Sequence, residues 1–124
     1  MLSPVGVASV YPGDQLQLTC TTSDQILEWI VHLNGRNYSQ LFSSRSAIAA
    51  NFPVPTNTSM FTLSRNSTLN SSPLISVLSV HPVGSDLDGV MVICRGQSGS
   101  STAIIDVIAE TDIHFQGKLY IDGC

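Results

Sequence analysis

Gln15-Leu16-Gln17-Leu18-Thr19-Cys20, Leu27-Glu28-Trp29-Ile30-Val31 and Asp88-Gly89-Val90-Met91-Val92-Ile93-Cys94 are the three runs on which the fold turns. In the first, Leu16, Leu18 and Cys20 alternate with Gln15, Gln17 and Thr19. One side of such a run is apolar and the other polar, the period of two that a half-buried strand requires. The other two runs are equally short and β-patterned. The second carries Trp29 and the third ends in Cys94.

Outward from these runs, the chain is punctuated every eight to twelve residues, which predicts an all-β sandwich or barrel. A first strand is expected over 5–10, closed by Pro12-Gly13-Asp14. Residues 26–33 read as a strand ended by an Asn34-Gly35 turn. Further strands are expected at 38–42, 60–64, 74–80, 89–95 and 102–109, the last two joined by Gly96-Gln97-Ser98-Gly99-Ser100. Residues 43–58 read as irregular, because Pro53 and Pro55 argue against a central strand. Nothing longer than a turn reads as helix. Residues 1–110 form one predicted domain, and 111–124 a C-terminal extension or linker in which Leu119-Tyr120-Ile121 is a candidate short strand.

The 124 residues suit a single domain with one core. A net charge of −4 gives no basic face for nucleic acid. No basic amphipathic stretch is available for an anionic membrane. No apolar run reaches the ~18–20 residues that span a bilayer. Residues 1–11 lack the basic start and apolar centre of a signal peptide. Four N-x-S/T acceptors are nevertheless present, at Asn37, Asn57, Asn66 and Asn70. Such triplets carry glycans only in a secreted setting. Pro73 follows the last of them closely and makes Asn70 the poorest acceptor. The expected location is extracellular or on the cell surface, with any leader or membrane anchor outside this chain. The odd cysteine, Cys124, reads either as an intermolecular or free thiol or as a residue whose partner lies elsewhere.

With these residues in place, the chain resembles the immunoglobulin superfamily over about residues 3–109. The resemblance implies an immunoglobulin-like Greek-key sandwich of two antiparallel sheets. It also implies a disulfide between Cys20 and Cys94 and a core position for Trp29 packed on it. Phe61-Thr62-Leu63-Ser64-Arg65-Asn66 resembles an edge strand of variable-type domains, and Asp88 stands six before Cys94 as in the family. The cysteine spacing, with room for extra strands at 38–58, suits the variable type. There are departures. Val92 stands where the tyrosine corner wants Tyr. Met60 stands where an Arg often pairs with the Asp, and the Phe-Gly-x-Gly of antigen receptors is missing. The pattern implied is a divergent module of a cell-adhesion molecule or receptor tyrosine kinase, of an invertebrate kind. Its role would be recognition of a protein, itself or a cell-surface ligand. The alternative is a passive spacer in a longer ectodomain.

Catalysis needs converging groups, and none assemble. His32, His81 and His114 are scattered singly. The Gly96–Ser100 loop has a Gly-x-Ser start, but its last two residues are in the wrong order for a nucleophile elbow. Asp86-Leu87-Asp88-Gly89 lacks the third oxygen ligand and the distant Glu of a calcium loop. No cysteine–histidine set has zinc spacing. No enzyme, metal or cofactor is expected.

The alternation does predict a binding face. If Trp29 and Cys94 point inward, Ile30, Met91 and Ile93 point outward. Placing Asp106 outside puts Ile104 and Ile108 there as well. In the resembled family these three strands are neighbours in one sheet, so Ile30, Met91, Ile93, Ile104 and Ile108 would form one apolar patch. Patches above a few hundred Å² mark interfaces. The competing expectation is that the apolar tail from Glu110 covers the patch. The sequons are expected on loops and polar strand edges, away from this face, since a glycan is bulky and would block pairing there.

Overall fold

The computed structural model of the chain describes residues 2–45, 49–65, 73–97 and 99–108. They form an all-β sandwich of two five-stranded sheets. One sheet runs β1 (Leu2–Ser3), β3 (Leu16–Thr22), β8 (Leu74–His81), β7 (Met60–Arg65) and β6 (Ala49–Phe52). The other runs β2 (Gly6–Val10), β10 (Gly99–Val107), β9 (Met91–Gly96), β4 (Ile26–Leu33) and β5 (Arg36–Ser43). All neighbours are antiparallel except β2 and β10, which pair in parallel.

The β4–β5 hairpin turns at Asn34-Gly35, the pair that the sequence marks as a turn. Asn34 and Gly35 take φ of 54° and 78°, the positive values that a two-residue primed turn demands. Asn and Gly are the residues that adopt them at least cost. Leu33 therefore faces Arg36, and every pair down to Ile26 and Ser43 follows in register.

Between the sheets lies one continuous core. Leu18, Trp29, Val31, Leu63, Leu74, Leu78, Leu87 and Ile105 are fully buried. Each such aliphatic side chain contributes about 1.5–3 kcal/mol of transfer free energy. Cys20 on β3 and Cys94 on β9 are disulfide-bonded, with Cα atoms 6.5 Å apart and a sequence separation of 74. The bond ties one sheet to the other, and Trp29 is the register partner of Cys94. The indole N–H of Trp29 donates to Ser76 Oγ at 2.9 Å, and Ser76 Oγ donates to the Ser64 carbonyl at 3.3 Å. Ser76 is fully buried, so this relay is what lets a polar atom of tryptophan sit in an apolar core. Phe52 and Phe61 meet edge to face, with centroids 6.3 Å apart, toward the β6 edge.

Two strands are additional to those the sequence predicts. β1 is two residues long, too short to show a period. β6 lies inside the stretch expected to be irregular. Pro53 follows it at once, and β6 pairs only with β7, so the proline argument holds in the form of an edge strand. β5 lies beside β4, whereas β6 joins the opposite sheet. β10 begins earlier than expected, with Gly96 and Gly99 paired, so the connecting loop is shorter than the sequence suggests. Of the expected helix-free chain, only a 3-10 turn at Ser85–Leu87 interrupts the β structure among the described residues.

Candidate functional site: the outer face of the five-stranded β2–β5 sheet

The strand registers assemble the outer face in rows that run across the sheet. One row reads Val7, Ile104, Met91, His32, Asn37 across β2, β10, β9, β4 and β5. The next reads Thr102, Ile93, Ile30, Ser39, and the one after it Ser100, Arg95, Glu28, Leu41. At the opposite end Ser9 faces Asp106. The predicted Ile30, Met91, Ile93 and Ile104 are therefore true neighbours on one face. Ile108 lies one residue past β10, tied to β2 by its N–H to the Val10 carbonyl at 2.9 Å.

The degree of exposure departs from expectation. Ile30 points away from the core, yet it is 8% exposed. Ile93 and Ser39 flank it across the sheet, with Glu28 and His32 before and after it on its own strand. Those two polar residues are held sideways. Arg95 Nη2 donates to Glu28 Oε1 in a salt bridge. His32, as its Nδ1–H tautomer, donates to Asn37 Oδ1 at 2.6 Å. Ile30 thus lies between two polar clasps and is a support rather than a contact residue. Met91, Ile93 and Ile108 are half-buried, and Ile104 is exposed.

The sequence reasoning missed three exposed apolar residues on this sheet. Val7 extends the patch onto β2, while Leu41 and Ile26 stand at the far corner beside Glu28 and Arg95. The alternation of β2 and β5 would have found Val7 and Leu41, had the edge strands been placed beside β10 and β4. The resulting face carries its apolar side chains from Val7 through Ile104 and Met91 to Ile93, polar pairs at Ser9–Asp106, Glu28–Arg95 and His32–Asn37, and exposed Leu41 and Ile26 beside the second of these pairs. Ser9 Oγ donates to Asp106 Oδ2 at 3.2 Å.

The sequons divide. Asn37 is exposed on β5, on this same face, against the expectation that acceptors lie away from it. Asn57 is exposed on the loop between β6 and β7 of the opposite sheet, its N–H donating to Asp86 Oδ2 at 3.4 Å. Ser59 of that triplet is buried, donating to the Pro82 carbonyl at 2.6 Å and accepting from Gly84 N–H at 3.2 Å. Asn66 and Asn70 lie outside the described residues, as do Cys124, His114 and the tail.

The acidic turn is structural. Asp88 Oδ1 accepts the Val107 N–H at 2.9 Å and so pins the end of β10. Met60, where the resemblance would place an arginine, is 64% exposed. At the other end of the sandwich Asp24 Oδ2 accepts the Gln97 N–H at 2.8 Å, joining the β3–β4 and β9–β10 loops. Gly96 permits this approach, since a Cβ there would sit 2.7 Å from that carboxylate oxygen. Among the described residues no group of three His, Cys, Asp or Glu could hold a metal ion. The concave features are shallow. A groove of about 270 Å³ lies between Asn51, Phe52, Pro53, Val54, Ser59, Met60 and Phe61, with no titratable side chain in it.

Compared with known proteins, the chain matches no family profile and no curated protein. The two-sheet sandwich with its Cys20–Cys94 disulfide is compatible with an immunoglobulin-like domain. The disulfide belongs to oxidising compartments, and no helix among the described residues is long and apolar enough to cross a membrane. Both are compatible with an extracellular domain.

Proposed function

We propose that this chain is an extracellular, variable-like immunoglobulin module of an adhesion molecule or receptor. In this reading it recognises protein through the outer face of the β2-β10-β9-β4-β5 sheet, by pairing with a second copy. The observation that carries the reading is the row Val7, Ile104, Met91 beside Ile93, an apolar band across three neighbouring strands of the sheet. Five strands about 4.8 Å apart and three rows about 7 Å apart make a face of roughly 300–400 Å². It is about half of what each partner gives to a standard interface. The pairing expected is therefore weak, as adhesion through many copies allows.

Water leaves the apolar band on contact, so pairing is driven by apolar burial and depends little on salt. Replacing Ile93 by Arg puts an unpaired charge in the middle of the contact, at a cost of several kcal/mol. Sedimentation of the unglycosylated protein across concentration tests this. The wild type is expected to dimerise in the range of tens to hundreds of micromolar (about 5–6 kcal/mol), and Ile93→Arg to stay monomeric and folded. Equal behaviour of the two proteins would remove the face from consideration.

A passive spacer is the second reading, and the low exposure of Ile30 favours it. A spacer would remain monomeric at every concentration, with or without Ile93.

A further inference from the structure

We propose that Asn37 is a glycan-acceptor site whose occupancy closes the pairing face, so that glycosylation regulates self-association. This rests on the reading of that face as a self-pairing surface. Asn37 ends the row that contains Met91, Ile104 and Val7. Two strand spacings, about 10 Å, separate it from Met91, and three, about 14 Å, from Ile104. A branched oligosaccharide rooted there lies over the apolar band or stands in the path of an approaching copy.

The local structure presents the acceptor. Asn37 and Ser39 are both exposed on the outer face of β5, the edge strand of its sheet. Tyr38 between them turns inward and packs against the core. The His32 Nδ1–H to Asn37 Oδ1 bond uses the oxygen of the amide and leaves Nδ2 as the atom that carries the sugar. In the transfer, Nδ2 forms a bond to the anomeric carbon of a lipid-pyrophosphate-linked oligosaccharide. The bond from that carbon to the pyrophosphate breaks, and Nδ2 loses one proton. Asn57 serves as an internal control, because it lies on a loop of the opposite sheet.

The test compares four preparations: wild type from a glycosylating secretory host, Ser39→Ala and Asn57→Gln from the same host, and wild type made without glycans. Ser39→Ala removes the acceptor motif but keeps Asn37 and its bond to His32, and its side chain is exposed, so folding is retained. Peptide mass mapping reads occupancy, and sedimentation reads association. The expected result is an occupied Asn37 and a dimer constant at least about tenfold weaker in the glycosylated wild type than in Ser39→Ala, with Asn57→Gln matching wild type. Trimming the glycan to a single sugar is expected to recover most of the lost association. An unmodified Asn37 in secreted protein overturns the proposal. So does an occupied Asn37 with wild type and Ser39→Ala associating equally. If the glycan-free protein dimerises and the glycosylated one does so equally well, only the gate fails. If the glycan-free protein is monomeric throughout, the pairing face itself fails, and the gate with it.

Discussion

Trp29 with Cys94 and Ile30 with Ile93 are adjacent register pairs on the same two strands, one residue apart, and they have opposite fates. The first pair faces the opposite sheet. It is covered by a whole layer of side chains, closed by a disulfide to β3, and its one polar atom is answered by Ser76. The second pair faces outward and has only its lateral neighbours. Ile30 is still 8% exposed, with Ile93 and Ser39 across from it and the Glu28–Arg95 and His32–Asn37 clasps in the rows on either side. Burial on a sheet thus has two sources. A second layer fixes the inner face, and lateral neighbours shelter the outer one. Only the second kind can be opened to a partner without unfolding the domain.

The comparison breaks first at the disulfide. Replacing Cys20 and Cys94 by Ala should cost about 4–5 kcal/mol, as expected from the chain entropy released for a separation of 74 residues. Urea unfolding reads this loss, and a change below about 1 kcal/mol would mean that the inner face does not depend on the cross-link. Next comes the indole relay. Ser76→Ala leaves the Trp29 N–H buried without a partner, for an expected loss of about 1–3 kcal/mol. Trp29 fluorescence and thermal unfolding report it together.

The outer pair sharpens the contrast at smaller magnitude. If neighbours pack Ile30 as a core residue is packed, Ile30→Val should cost about 0.5–1.5 kcal/mol. Ile104→Val on the same face, at an exposed site, should stay within about 0.5 kcal/mol. Equal costs in denaturant titrations would show that these neighbours shelter nothing. The smallest effect belongs to Glu28→Gln. The salt bridge is solvated, with side chains 57% and 23% exposed, so its loss should cost about 0.2–1 kcal/mol and fade as salt rises.

Much of this was legible from residues alone. The period of two in 15–20 determined a strand with Cys20 inward, and the Asn34-Gly35 pair determined the hairpin and, through it, the register of β4 and β5. Both are local matters: a strand shows its faces every second residue, and a primed turn admits few residue types. The outward direction of Ile30, Met91, Ile93 and Ile104 followed from the same alternation. What lay beyond reach was non-local. β6 has a weak local signal and exists because β7 offers it an edge. Ser76 reads as an ordinary polar strand residue until Trp29 arrives from the opposite sheet, 47 positions away in sequence. Asn37 reads as a surface sequon until the registers of four strands place it in line with Met91 and Ile104. The period-two pattern decides which side of a strand a residue takes. Which strands lie side by side, and therefore what each side chain meets, was decided only when the two sheets closed on a common core.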